Sequence, residues 1–191
     1  MKVILVSASP RRRELLERLG WPVEVRPSAV SEEAYPLLAP PQVAMLLAAR
    51  KVGAVWPTLQ DPEVALAADT LVVWEGQVLG KPRTLEEAAA FLRNLSGRLH
   101  EVYTGVAVAT RHRTWLFYER TVVRFHPLSE ELIQAYLREE PPLDKAGAYG
   151  AQDRIGLAGI AELYGDFYNV MGLPVQKLVR FWLRVFGALP G

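Results

Sequence analysis

The stretch KVILVSASP, residues 2–10, constrains the fold more than any other part of this chain. Val3 to Val6 are apolar without alternation. A strand of that kind is buried on both faces, as strands are in parallel sheets covered by helices. Two serines follow, and Ser9 stands directly before Pro10. Serine suits a helix N-cap and proline the first helical position, so a helix is predicted from Pro10. Leu15, Leu16 and Leu19 mark its core face and Gly20 its end. A buried strand feeding straight into a helix points to an α/β fold.

The first turn of that helix carries Arg11, Arg12 and Arg13. Cations at a helix N-terminus oppose the macrodipole, at a cost of about 0.3–1 kcal/mol each. Arg13 precedes Glu17 by four residues, as Glu14 precedes Arg18, which predicts ordinary surface pairs. Arg11 and Arg12 differ. They stand four residues before Leu15 and Leu16, and so extend the core face past the start of the helix. That places them at the carboxyl edge of the first strand, where α/β sheets bind ligands. Two readings stand for the run: a solvated charge cluster, or a phosphate cradle made by backbone N–H groups, the Ser7 and Ser9 hydroxyls and two guanidiniums.

Further along, PVEVRP (22–27) predicts a short strand and PPQVAMLLAARKVGAVW (40–56) a helix. EVALAADTLVVW (63–74) predicts two strands broken at Asp69 and Thr70, followed by a tight EGQ turn. TLEEAAAFLRNLSG (84–97) predicts a helix with a Thr84–Glu87 capping box, and SEELIQAYLRE (129–139) one capped by Ser129. Residues 100–110 and 114–127 alternate like paired antiparallel strands, with Trp115, Phe117 and Tyr118 as core aromatics. PPLDKAGAYGAQD (141–153) predicts a Gly-rich loop or short helix, IGLAGIAELYG a strand, and PVQKLVRFWLRVFG (174–187) a C-terminal helix. The fold class is α/β with a mixed sheet flanked by helices. Two lobes around a cleft fit the length, and no boundary is marked.

Asp69 is the polar residue most out of place. Two readings stand: a turn or bulge carboxylate, or a metal ligand or general base, with a hard divalent cation shared with Glu32 or Glu33. Lys51 lies among apolar helix residues, which fits either snorkelling or a site lysine. Lys81 precedes Pro82 in a fixed backbone, Asp144 and Lys145 precede glycines, and Gln152 can read a base edge through its amide.

Composition removes several classes. There is no cysteine, which excludes disulfides, thiol nucleophiles and Cys-ligated metal sites. His100, His112 and His126 have no metal-ligand spacing. A net charge of +1 argues against a nucleic-acid binder. Four apolar residues at the start are too few for a signal peptide, and no stretch approaches a membrane span of roughly 20 residues. A cytoplasmic location is expected.

Taken in order, SASPRRRELL, VSE (30–32), ARK (49–51), ADT (68–70), GKP (80–82), LSGRLHEVYTG (95–105), EPPLDKAGAYGAQ (140–152) and GDFYNVMGLP (165–174) resemble the Maf family of nucleoside triphosphate pyrophosphatases. The resemblance covers nearly the whole chain and implies a single domain over 1–191. It implies a fold like that of inosine triphosphate pyrophosphatases and hydrolysis between the α- and β-phosphates. It implies Asp69 as catalytic base, with Glu32 and Lys81 as further catalytic residues and Glu32 and Asp69 as metal ligands. Ser7, Ser9, Arg11, Arg12, Lys51, Thr70 and Gln152 match substrate-binding positions. Of these, Arg11, Thr70 and Gln152 match the specificity markers of the branch acting on dTTP and UTP. A divalent cation, Mg²⁺ or Mn²⁺, and a homodimer are implied. Two alternatives accompany it: a pyrophosphatase for 7-methyl-GTP or another noncanonical nucleotide, and a septum-formation regulator acting by protein binding.

Overall fold

The computed structural model describes residues 1–30 and 37–191. Glu32 and Glu33 lie outside the described residues. In chain order the elements are β1 (Lys2–Leu5), α1 (Pro10–Arg18), β2 (Val23–Val25), α2 (Pro40–Val55), β3 (Glu63–Trp74), β4 (Gln77–Leu79), α3 (Leu85–Leu95), β5 (Leu99–Ala109), β6 (Thr114–Phe125), α4 (Glu130–Glu139), α5 (Arg154–Gly159), β7 (Ile160–Tyr164), α6 (Phe167–Met171) and α7 (Val175–Phe186). The strands form a mixed sheet in the order β2-β1-β3-β5-β6-β7, with β4 paired to β3. β1 runs parallel to both β2 and β3, whereas β3–β4 and β6–β7 are antiparallel. The expected α/β class with a mixed sheet and flanking helices is what the chain forms.

The chain divides into two compact units, in line with the two lobes expected. The first comprises Met1–Asp69, Thr104–Glu119 and Gly172–Gly191; the second comprises Thr70–Tyr103 and Arg120–Met171.

In the first unit, Val3, Ile4 and Leu5 are fully buried, as the unbroken apolar run requires. Ile4, Val6, Ala65, Ala67, Ala107 and Ala109 pack against Ala48 and Val52 of α2. Small residues on the strands let the helix lie close. At Gly105 the approach is closest: a Cβ there would stand 2.2–2.4 Å from backbone atoms of Ala44 and Met45. α7 buries Leu178 and Trp182, the latter packed at a tilt against Trp21 at 4.7 Å between ring centroids. Trp115 and Phe117 meet Phe181 of α7, at centroid separations of 5.9 and 5.0 Å. Tyr118 points the other way. It is 40% exposed and is not a core aromatic, because alternation along β6 turns it from Trp115 and Phe117 towards solvent.

The second unit is built on Leu92 and Leu95 of α3, Ile133 and Tyr136 of α4, Val102, Val123, Phe125 and Ile155. Ser129 accepts a hydrogen bond from Leu132 N–H at 3.2 Å, as its N-cap position requires. Thr84 caps Glu87 N–H at 3.2 Å, but the returning carboxylate takes the N–H of Arg83 rather than of Thr84. The EGQ turn is a tight hairpin, with Glu75 and Gly76 at φ 48° and 77°.

Several local expectations are corrected. β3 runs unbroken through Asp69 and Thr70. The IGLAG half of the expected seventh strand is helical, since it follows Asp153 at an N-cap position, and only Ile160–Tyr164 is extended. Ser9 occupies the N-cap position of α1 but makes no side-chain capping bond. Leu19 follows the last turn of α1 and is 36% exposed.

Candidate active site

β1 ends at Leu5, opposite Leu66 of β3, and Val6 N–H still donates to the Leu66 carbonyl at 2.8 Å. Ser7, two residues past β1, and Asp69, three residues past Leu66 on β3, therefore lie just beyond the carboxyl end of the parallel β1–β3 pairing. Ligands of open α/β sheets bind at such ends.

Ser7 is buried and acts as a hub. Its hydroxyl oxygen accepts from Ser9 N–H and from Nη1 of Arg12, both at 3.2 Å. Arg12 also donates through Nε to the Gly172 carbonyl at 2.7 Å. The guanidinium is thus fixed from two sides at the start of α1. Arg11 and Arg12 are half-buried, whereas Arg13 is exposed and pairs with Glu17 at 2.7 Å. The three arginines separate as their spacing predicted. The Ser7 and Ser9 hydroxyls, the first N–H groups of α1 and two half-buried guanidiniums can accept a phosphate chain.

Asp69 is 5% exposed. Alternation along β3 puts it in the row of Ala65 and Ala67, which face α2. From α2, Lys51 reaches down and forms an ion pair with Asp69 Oδ1. Both side chains are largely buried, at 12% and 8% exposure. The carboxylate is tolerated in the strand because a tertiary partner meets its charge. The bulge reading of Asp69 falls with this geometry. So does the snorkelling reading of Lys51.

Thr70 projects from the opposite face of β3 and belongs, with Lys81 and Gln152, to the second unit. Lys81 is exposed and follows Gly80, whose carbonyl accepts Gly147 N–H at 3.1 Å. That bond ties the GKP turn to the 145–153 loop. Gly147 has φ 68°, and a Cβ there would meet Val72 at 2.9 Å, so only glycine fits. Gln152 follows in the same loop, and its Oε1 is buried without a hydrogen-bond partner.

Two arrangements in the second unit carry little sequence signal. His100 is 2% exposed, with Nε2 2.7 Å from the Tyr149 hydroxyl. Burial lowers its pKa to about 4 and pushes the Tyr149 phenol up. Lys145 pairs with Asp153 at 3.1 Å, and Asp153 accepts from the Tyr136 hydroxyl at 2.9 Å.

Glu32, expected as catalytic residue and metal ligand, falls outside the described residues. Among the described residues no group of three or more His, Asp or Glu could hold a metal ion. Mg²⁺ is commonly bound by one or two carboxylates together with substrate phosphate oxygens and water. Asp69 fits that pattern as a hard oxygen donor.

The chain matches the family model described as Maf-like protein over residues 2–185. It is 47% identical over 179 residues to a dTTP/UTP pyrophosphatase of Bacillus anthracis, covering 94% of this chain and 93% of that one. A dTTP/UTP pyrophosphatase of Bacillus cereus is 46% identical over the same shares. Among solved structures, the Ham1 protein of Staphylococcus aureus aligns over 96% of this chain and 98% of its own at 11% identity, with a TM-score of 0.49.

Proposed function

The chain belongs to the Maf-like protein family, and from that membership we infer that it is a nucleoside triphosphate pyrophosphatase acting on dTTP and UTP. The products are the nucleoside monophosphate and pyrophosphate. The names of its relatives support the substrate. The observation that carries the chemistry is the buried Asp69–Lys51 pair just beyond the carboxyl end of the parallel β1–β3 pairing.

Ser7, Ser9, Arg11, Arg12 and Lys81 bind the triphosphate. Lys51 holds the Asp69 carboxylate in place through their buried ion pair. Asp69 takes the proton from a water attacking the α-phosphorus, the bond to the α,β-bridging oxygen breaks, and pyrophosphate leaves. Asp69 and Glu32 would hold a divalent cation, Mg²⁺ or Mn²⁺, whose charge neutralises phosphate oxygens and lowers the pKa of bound water. A ligating carboxylate is a poor proton acceptor, so Glu32 shares the two tasks. The partnerless amide oxygen of Gln152 suits the N3–H of thymine or uracil. Arg11 and Thr70 complete nucleotide selection.

Residues 1–191 act as one functional domain. No helix among the described residues is long and apolar enough to cross a membrane. A cytoplasmic location and a homodimer belong to this same reading.

A panel of triphosphates with Mg²⁺ or Mn²⁺, scored for pyrophosphate release, tests it. dTTP and UTP should lead. A preference for 7-methyl-GTP would overturn the substrate, and release from none would favour the regulator alternative. Asp69→Asn should lower turnover by about 10²–10⁴-fold while the protein remains folded. Near-normal turnover would remove Asp69 from the role of base.

A further inference from the structure

Asp153 stands at the N-cap position of α5, yet its side chain makes no capping bond. An aspartate there ordinarily accepts from the first N–H groups of its helix. Here the carboxylate turns back into the 145–153 loop instead. Oδ2 of Asp153 lies 3.1 Å from Lys145 Nζ and accepts from the Tyr136 hydroxyl at 2.9 Å. The Lys145 and Asp153 side chains are 14% and 10% exposed, so the pair is shielded from solvent. Lys145 also lies 3.4 Å from the exposed Asp144. The carboxylate rests against the loop backbone as well, since a Cβ on Gly150 would stand 2.7–2.8 Å from it. Asp153 N–H donates to the Gly150 carbonyl at 3.1 Å. One carboxylate thus joins the first residue of the loop, its middle and α4.

Gln152 is the neighbour of this carboxylate, and its buried Oε1 lacks a partner. A buried amide oxygen left without a donor is costly unless something arrives to supply one. Its aim matters only if the loop holds still.

We propose that Asp153 is a positioning residue for nucleotide selection: clamped by Lys145 and Tyr136, it fixes the loop so that the Gln152 amide oxygen meets an N–H donor on the base edge. The inference rests on the reading that Gln152 contacts the base. The matching ligand is a base with a ring N–H at that edge, as uracil and thymine have at N3. Cytosine, whose N3 is an acceptor, is the discriminating competitor. Neither Lys145 nor Tyr136 needs to touch the nucleotide for this to operate.

The test is the ratio of kcat/KM for UTP to that for CTP, which does not depend on the fraction of enzyme folded. Asp153→Asn keeps an acceptor for Tyr136 but removes the charge that holds Lys145. The ratio should fall by about tenfold, through KM for UTP, with kcat changed by no more than about threefold. Asp153→Glu, which retains the charge, should recover part of the ratio. Tyr136→Phe, a milder change that leaves the ion pair, should lower it by a smaller factor and serves if the asparagine variant folds poorly. A clamp that only stabilises the fold would lower activity on both nucleotides together, and an unchanged ratio in Asp153→Asn and Tyr136→Phe overturns the proposal. Gln152→Leu, which removes the amide acceptor, in parallel separates the two failures. If it leaves the ratio unchanged, the base-contact reading falls and the clamp's role falls with it. If it shifts the ratio while the clamp variants do not, only the clamp's role is lost.

Discussion

Acidification should destabilise this protein through His100 by an amount that its burial sets. The imidazole is 2% exposed, packed edge-on to Phe125 and Tyr149 at centroid distances of 5.2 and 5.4 Å, with Nε2 on the Tyr149 hydroxyl. Burial alone lowers its pKa from 6.5 to about 4. Between those values the unfolded chain binds a proton that the folded chain refuses, so acid favours unfolding. The loss begins as the pH falls below 6.5 and is complete below 4. At 1.36 kcal/mol per pKa unit the shift corresponds to about 3 kcal/mol. The measurement is urea unfolding of the wild type and His100→Gln at intervals from pH 7 to pH 4. Other groups titrate in both proteins and cancel in the difference. The wild type should lose about 3 kcal/mol more than the variant across that range. Curves that run parallel within about 0.5 kcal/mol would show that His100 is not held neutral by burial, and would refute the reasoning.

Two other substitutions probe the first unit. Gly105→Ala places a methyl group 2.2 Å from the Ala44 carbonyl carbon, where only backbone can yield, so α2 must lift from the sheet. The cost should reach or exceed about 3 kcal/mol in urea unfolding, and a change under about 1 kcal/mol would mean that the helix is not seated on that glycine. Lys51→Met leaves the Asp69 carboxylate buried without its ion pair. It should destabilise by about 3–5 kcal/mol in urea unfolding at pH 7, and a loss under about 1 kcal/mol would show that the buried ion pair does not set stability there.

The parts of the fold that could be read from sequence are those determined within one turn or one strand. Val3 to Val6 announce a strand buried on both faces, and Ser129 caps its helix with its own hydroxyl. Arg13 separates from Arg11 and Arg12 because spacing on a helix decides which side chains reach solvent. What sequence concealed depends on partners far along the chain. Asp69 looked like a strand break because Lys51, 18 residues earlier, is placed beside it only once α2 lies on the sheet. Ser9 looked like a cap, but its own N–H is engaged with Ser7, and the carbonyl that fixes Arg12 comes from Gly172. Asp153 closed a segment that reads as a Gly-rich loop or short helix, and the next segment reads as a strand, so its N-cap position was hidden. Its bond to Tyr136 needs α4 in place. For the candidate site, residue types and their order were legible; the pairing that gives each its charge environment was not.

The bond from Gly147 N–H to the Gly80 carbonyl has an evolutionary consequence. That bond joins two loops through main-chain atoms, so it does not depend on the side chain at 152. A lineage can exchange that side chain, and with it the nucleotide it accepts, without breaking the bond that ties the loop in place. The position that cannot drift is Gly147, which contributes no side chain at all.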